Sequence, residues 1–146
     1  MVEALAKGVL VILYISDIKK SSISYFIVTI FLVLLNYIYS IFSHNVRSNY
    51  MNYMFIYPLL AGILVNILLL INKNINKLKS FYIGRSILNY GIAIIVFRSF
   101  MKGVFEIAGT DSNYLTYYLY IGLILILVSS ILIIYSLYKV TKVHER

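Results

Sequence analysis

The amino-acid sequence predicts an all-α integral membrane protein with four transmembrane helices arranged as two antiparallel hairpins. Two observations predict this fold class. Of the 146 residues, 62% are hydrophobic and only 12% are charged, against about 25% charged residues in an ordinary soluble domain. The charged residues also leave four long, nearly charge-free stretches, each near the length of about 20 residues that one helix needs to cross a bilayer. We therefore expect residues 1–146 to form a single transmembrane helical domain.

The four spans are predicted at about residues 22–42, 53–71, 81–101 and 114–138. The third span is the most polar, because it contains both Arg85 and Arg98. Thirteen helical steps separate these two residues by about 20 Å. Their long side chains can each reach toward the nearer interface and so bracket a hydrocarbon core of about 30 Å. We expect this span to pack against protein instead of facing lipid all round.

The first 18 residues are harder to assign. Glu3, Lys7 and Asp17 interrupt this segment, and its uninterrupted apolar core, Gly8–Ile15, is short. A helix of this kind is typical of the membrane interface. We predict that residues 1–18 form an N-terminal interfacial, amphipathic helix, with a short fifth span as the alternative.

The distribution of basic residues predicts the orientation. Lys and Arg favour the cytoplasmic side of membrane proteins, most clearly in short loops. With the N-terminal segment inside, ten basic residues lie inside and three lie outside. The three outside are Arg47, Arg98 and Lys102. The ten inside are Lys7, Lys19, Lys20, Lys73, Lys77, Lys79, Arg85, Lys139, Lys142 and Arg146. We expect a bacterial cytoplasmic membrane protein with a cytoplasmic C-terminus.

A short sequence repeat precedes the second and fourth spans. Residues 48–53 and 112–117 share four of six residues at an offset of 64. A duplicated hairpin related by an axis along the membrane normal would explain the repeat. The alternative is that any helix entering from the outer interface favours a Ser or Asn cap and interfacial tyrosines.

The sequence carries few groups suited to catalysis or metal binding. It has no cysteine, its histidines His44 and His144 have no acidic partner at a metal-binding spacing, and none of its five acidic residues lies inside a span. No phosphate-binding or serine-nucleophile motif is present. The net charge of +8 follows from the basic residues at the span ends and does not indicate nucleic-acid binding. We expect no catalytic residues, no cofactor and no metal, and hence a protein that is not an enzyme.

Polar residues inside the spans are candidates for intramembrane contacts. The candidate set is Asn36, Asn66, Asn89, Arg85 and Arg98. Asn66 and Asn89 fall at similar depths on two helices that a short loop makes neighbours, so we expect them to hydrogen-bond. Such a pair can hold helices together or form part of a polar substrate site.

Tyrosines cluster at the predicted outer ends of the spans. We identify a candidate outer partner surface at Tyr50, Tyr53, Tyr57, Tyr114, Tyr117 and Tyr118. Tyrosine is enriched in protein interfaces. The alternative is an aromatic belt at the bilayer surface, since tyrosine also anchors helices there.

These features lead to two main functional hypotheses. The first is a non-enzymatic accessory, regulatory or immunity-type membrane protein that contacts lipid and another membrane protein, or itself, through its helices and outer rim. The second is a small oligomeric transporter or channel with a polar amide layer between helices. A lipid-modifying enzyme ranks third, because its few candidate groups lie on different sides of the membrane.

Overall fold

A computed structural model of the chain describes the backbone of residues 2–43, 46–71, 75 and 78–144, and the side chains of residues 18–43, 46–70, 75 and 78–142. All regular structure in these ranges is helical. The helices are α1 (Val2–Phe42), α2 (Asn49–Tyr53), α3 (Ile56–Ile71), α4 (Lys79–Ile107) and α5 (Tyr114–His144).

Four stretches of the described chain are long and apolar enough to cross a membrane. They are Ile18–Phe42, Asn49–Leu70, Lys79–Ile107 and Tyr114–Lys142. These stretches confirm the predicted all-α architecture with four transmembrane helices. The third stretch extends beyond the predicted end at residue 101, because α4 continues through Gly103 to Ile107 and stops just before Gly109, whose φ is positive.

The predicted separate N-terminal helix is not supported. The backbone of α1 is helical without interruption from Val2 to Phe42, so the described residues 2–18 form neither a distinct interfacial helix nor a fifth span set off by a turn. The physical reason is local. The junction around Lys19 and Lys20 contains neither proline nor glycine, and lysine is a good helix former.

The second span is broken near its start. Helix α2 ends at Tyr53, and α3 begins at Ile56 after a turn at residues 54–55. Pro58, the sole proline of the sequence, explains the break. Proline cannot donate a hydrogen bond to the carbonyl four residues earlier, and its ring clashes with that carbonyl. The carbonyl affected is that of Met54, and Pro58 is instead accommodated in the first turn of α3.

The helices pair as two antiparallel hairpins, and the closer of the two is α4 with α5. Glycines allow this close approach. A Cβ atom placed on Gly91 would lie 3.1 Å from the carbonyl oxygen of Gly122, and one placed on Gly122 would lie 2.6 Å from Cγ1 of Ile95. The α4 and α5 backbones therefore cross where neither helix carries a side chain.

Helices α1 and α3 form the second hairpin, whose register matches the first. Ser22 on α1 hydrogen-bonds Asn66 on α3, and Ser80 on α4 hydrogen-bonds Ser136 on α5. Adding the repeat offset of 64 to positions 22 and 66 gives positions 86 and 130. Position 86 lies six residues after Ser80 on α4, and position 130 lies six residues before Ser136 on α5, so positions 86 and 130 face each other in the same antiparallel register as Ser80 and Ser136. The two hairpins thus share one register, as a hairpin duplication would produce.

The bundle has two chemically different ends. One, called the basic end below, carries Lys19, Lys20, Lys79, Lys139 and Lys142. The other, called the tyrosine end, carries Tyr50, Tyr53, Tyr57, Tyr114, Tyr117 and Tyr118. At the tyrosine end α4 stops in a Schellman motif: Gly109 has φ +69°, and the Thr110 N–H donates to the Phe105 carbonyl over 2.9 Å. Glycine adopts this left-handed conformation without steric cost.

Candidate functional sites

Helix α2 lies on the C-terminal part of α4, next to Gly103 and Glu106, and shapes the tyrosine end. Met51 is almost completely buried, and a Cβ atom on Gly103 of α4 would lie only 2.9 Å from the Met51 Cβ. The Ser48 hydroxyl donates a hydrogen bond to the Glu106 carboxylate and accepts one from the Tyr50 N–H over 3.2 Å. Ser48 therefore caps α2 and ties it to α4 at the same time.

Charged groups at this end form one ion pair and two cation–π contacts among the described residues. The Lys102 ammonium lies 2.7 Å from the Asp111 carboxylate. The hydrogen bond from Lys102, followed by the Ser112 backbone N–H, lowers the pKa of Asp111 below its ordinary value. Arg98 and Lys102 also lie over the Tyr50 ring, at 5.7 and 6.0 Å from its centroid, within the range of a cation–π interaction.

The six candidate tyrosines remain exposed around this framework. Their exposed fractions run from 39% for Tyr50 and Tyr57 to 75% for Tyr114. Tyr118 packs edge-on against Phe97 with ring centroids 5.6 Å apart, which fixes its direction. The structure therefore brings the tyrosines of α2, α3 and α5 to one end of the bundle.

The three candidate amides each hydrogen-bond, but to different partners. Asn36 donates to the Asn52 side-chain oxygen over 3.1 Å, and Asn66 donates to the Ser22 hydroxyl over 3.0 Å. Asn89 accepts from the Tyr25 hydroxyl over 2.6 Å. The expected Asn66–Asn89 hydrogen bond is not formed, and the Asn66 side-chain oxygen is buried without a partner. The reason is that α1 supplies a hydroxyl to each of these two amides.

A cleft of about 690 Å³ separates α1 from α4. Its polar part contains Ser24, Tyr25, Arg85 and Asn89, and the rest of its wall is almost entirely apolar. The apolar lining consists of Val28, Phe31, Leu32, Pro58, Ile92, Ala93, Val96, Phe97 and Phe100. A volume within the range of about 300–1,000 Å³ is typical of small-molecule sites.

Arg85 and Arg98, the two charged candidates, occupy different surroundings. Arg85 lies in the polar part of the cleft beside Tyr25. Arg98 is one of the few described residues with a buried polar atom, Nε, that has no hydrogen-bond partner. The side chains that the structure describes contain no cluster of three His, Cys, Asp or Glu residues suited to a metal ion.

Comparisons with protein-family models, with curated proteins and with solved structures found no match to this chain.

Tyr25 and the contact glycines were not among the residues predicted from the sequence. Tyr25 bridges α1 and α4 although it was one of many tyrosines without a distinguishing pattern. One signal was present: Tyr25 and Asn89 are separated by 64 residues, the offset of the sequence repeat. The glycines at positions 84 and 91 also repeat at seven residues on α4, a helical spacing that places them on one face.

Proposed function

We propose that this chain is a non-enzymatic accessory, regulatory or immunity-type component of a bacterial cytoplasmic membrane, which acts by binding another membrane protein at its tyrosine end. The C-terminus is then cytoplasmic, and the tyrosine end faces outward. Four apolar helices with short connections leave little of the chain outside the membrane, so contacts with a partner fall on the helix ends and on lateral faces.

The observation that carries this proposal is the exposed tyrosine group on a fixed framework. Tyrosine offers a large contact area with little loss of conformational entropy. Both carboxylates nearby are already engaged: Asp111 forms an ion pair with Lys102, and Glu106 accepts a hydrogen bond from the Ser48 hydroxyl. A partner can therefore cover the tyrosines without breaking the Lys102–Asp111 ion pair, and an unpaired buried charge would be costly.

The transporter alternative draws support from the polar part of the cleft. However, Asn36, Asn66 and Asn89 hydrogen-bond to three different residues, as expected for amides that hold helices together. We therefore rank the accessory role first.

Site-specific photo-crosslinking in intact cells tests the proposal. A photoreactive phenylalanine analogue replaces Tyr117, and the same analogue at Tyr138 is the control. The two tyrosines lie on the same helix, at the tyrosine end and the basic end respectively, and each is 63% exposed.

We expect a discrete cross-linked product from position 117 that contains a second membrane protein identified by mass spectrometry, and no such product from position 138. Absence of a product at 117, or the same products at both positions, would contradict a specific partner surface at the tyrosine end. A product formed only with lipid would favour the aromatic belt.

A further inference from the structure

We propose that the cleft between α1 and α4 binds one anionic phospholipid, with its phosphate at Arg85 and Asn89 and one acyl chain along the apolar wall. This inference concerns a different region from the tyrosine end and does not depend on the proposed partner.

The polar part of the cleft presents hydrogen-bond donors without an acidic partner. Arg85 has no carboxylate among the described side chains within ion-pair distance, and its guanidinium offers five N–H donors. The Asn89 side-chain oxygen accepts a hydrogen bond from the Tyr25 hydroxyl. The Asn89 amide N–H groups have no acceptor among the described residues. A phosphate group, which carries only acceptor oxygens and a negative charge, matches this set.

The position of the donors along the helix suits a lipid headgroup. Arg85 lies six residues into α4, which places its Cα about 9 Å from the helix start. An arginine at this depth reaches the headgroup region by extending its side chain. The basic ends of the two cleft helices also carry Lys19, Lys20 and Lys79. Lysines near a membrane surface attract anionic lipid.

The apolar part of the cleft suits an acyl chain. The cleft continues from Asn89 toward the tyrosine end between Val28 of α1 and three residues of α4, Ile92, Ala93 and Val96. From Arg85 to Val96 the helix rises about 16 Å, close to half of a hydrocarbon core of about 30 Å. One leaflet's acyl chain therefore fits alongside these residues.

The cleft itself exists because the α1 backbone lies close to α3 and the α4 backbone close to α5, whereas the α1 and α4 backbones stay farther apart and meet through side chains such as Tyr39 and Phe100. The Tyr25–Asn89 hydrogen bond joins them across this opening. A bilayer supplies lipid acyl chains at high concentration, and the apolar wall of the cleft suits an acyl chain.

Native mass spectrometry of the full chain in mild detergent tests the proposal, with phosphatidylglycerol and phosphatidylcholine as probes. We expect more phosphatidylglycerol than phosphatidylcholine bound at equal concentration. Arg85→Gln should weaken phosphatidylglycerol binding about ten-fold, because it removes a charged hydrogen-bond donor. Lys139→Gln is the control: it removes the same charge at the same end but outside the cleft lining, and binding should change less than two-fold.

A second variant keeps the test decisive if Arg85→Gln does not fold. Ala93→Trp fills the apolar wall without changing any charge, and it should reduce phosphatidylglycerol binding at least five-fold. Arg85→Lys should retain most of the binding.

Three results would overturn the proposal. The first is phosphatidylglycerol binding that neither Arg85→Gln nor Ala93→Trp changes, or that Lys139→Gln weakens as much as Arg85→Gln does. The second is competition by inorganic phosphate at millimolar concentration, which would indicate a site for free phosphate. The third is a dimer of the chain that Ala93→Trp disrupts while lipid binding persists, which would assign the cleft to a second copy.

Discussion

At the scale of single residues, hydrogen bonds between side chains join the helices at several depths. The Tyr25 hydroxyl of α1 donates a hydrogen bond to the Asn89 side-chain oxygen of α4 over 2.6 Å. A polar group that loses its partner in an apolar environment costs more than replacement of both partners. The Tyr25–Asn89 pair should therefore show energetic coupling.

We predict that Tyr25→Phe and Asn89→Leu each lower the free energy of unfolding by about 0.6–2 kcal/mol, the range measured for hydrogen bonds between membrane helices. The double variant should lose less than the sum of the two single losses. Thermal denaturation in detergent measures the effect. The control pair is Asn36→Leu with Asn89→Leu, whose partners differ, so their effects should add within about 0.5 kcal/mol. Additivity of the Tyr25 and Asn89 effects would mean that the two side chains do not interact.

The sequence was sufficient to name Asn36, Asn66 and Asn89 as polar residues within spans, but not to name their partners. Depth along a helix follows from counting residues, and it placed Asn66 and Asn89 at similar levels. Which helix faces each amide depends on how the two hairpins rotate against each other, and no local property of the sequence encodes that rotation. The hydroxyls of Ser22 and Tyr25 on α1 therefore took the place of the expected amide pair.

At the scale of helices, the crossing of α4 and α5 depends on Gly91 and Gly122. A methyl group on Gly122 would meet Ile95 at 2.6 Å and the Gly91 carbonyl oxygen at 3.2 Å. Extra volume in a packed contact of this kind costs about 1–3 kcal/mol. Alanine is otherwise the better helix former by about 1 kcal/mol, so the steric and intrinsic effects have opposite signs.

We predict that Gly122→Ala lowers the thermal stability of the protein in detergent, because the steric cost exceeds the gain in helix propensity. Ser130→Ala on the same helix is the matched control: Ser130 is exposed and bonds only to the Ile126 carbonyl of its own helix, so its stability should change by less than about 0.5 kcal/mol. A Gly122→Ala protein at least as stable as the unmodified chain would contradict the close crossing.

Charge spacing predicted the four spans well, because a bilayer excludes charged residues from the centre of a helix. It did not predict where helices begin, end or break. The turn at residues 54–55 follows from Pro58, whereas the continuity of α1 from Val2 follows from the lack of any breaker near Lys20. Glu3, Lys7 and Asp17 interrupt an apolar span and therefore predicted a separate N-terminal helix. Charged residues do not interrupt a helix, however, and α1 continues through them.

At the scale of the whole molecule, the chain forms two hairpins of equal register, and its basic end and tyrosine end lie at opposite ends of the membrane-spanning helices. We propose that the basic end is cytoplasmic, since Lys and Arg favour that side. Both the partner surface and the lipid cleft depend on this arrangement, because each is assigned to one end of the bundle.

The most direct test is the labelling of single cysteines, which the cysteine-free sequence permits without further changes. Asn113→Cys and Lys142→Cys place an exposed thiol at opposite ends of α5. We expect a membrane-impermeant maleimide to label position 113 in intact cells and position 142 only after the cells are permeabilised. Labelling of both positions from the same side would contradict α5 as a membrane span, and labelling of 142 but not 113 in intact cells would contradict the orientation.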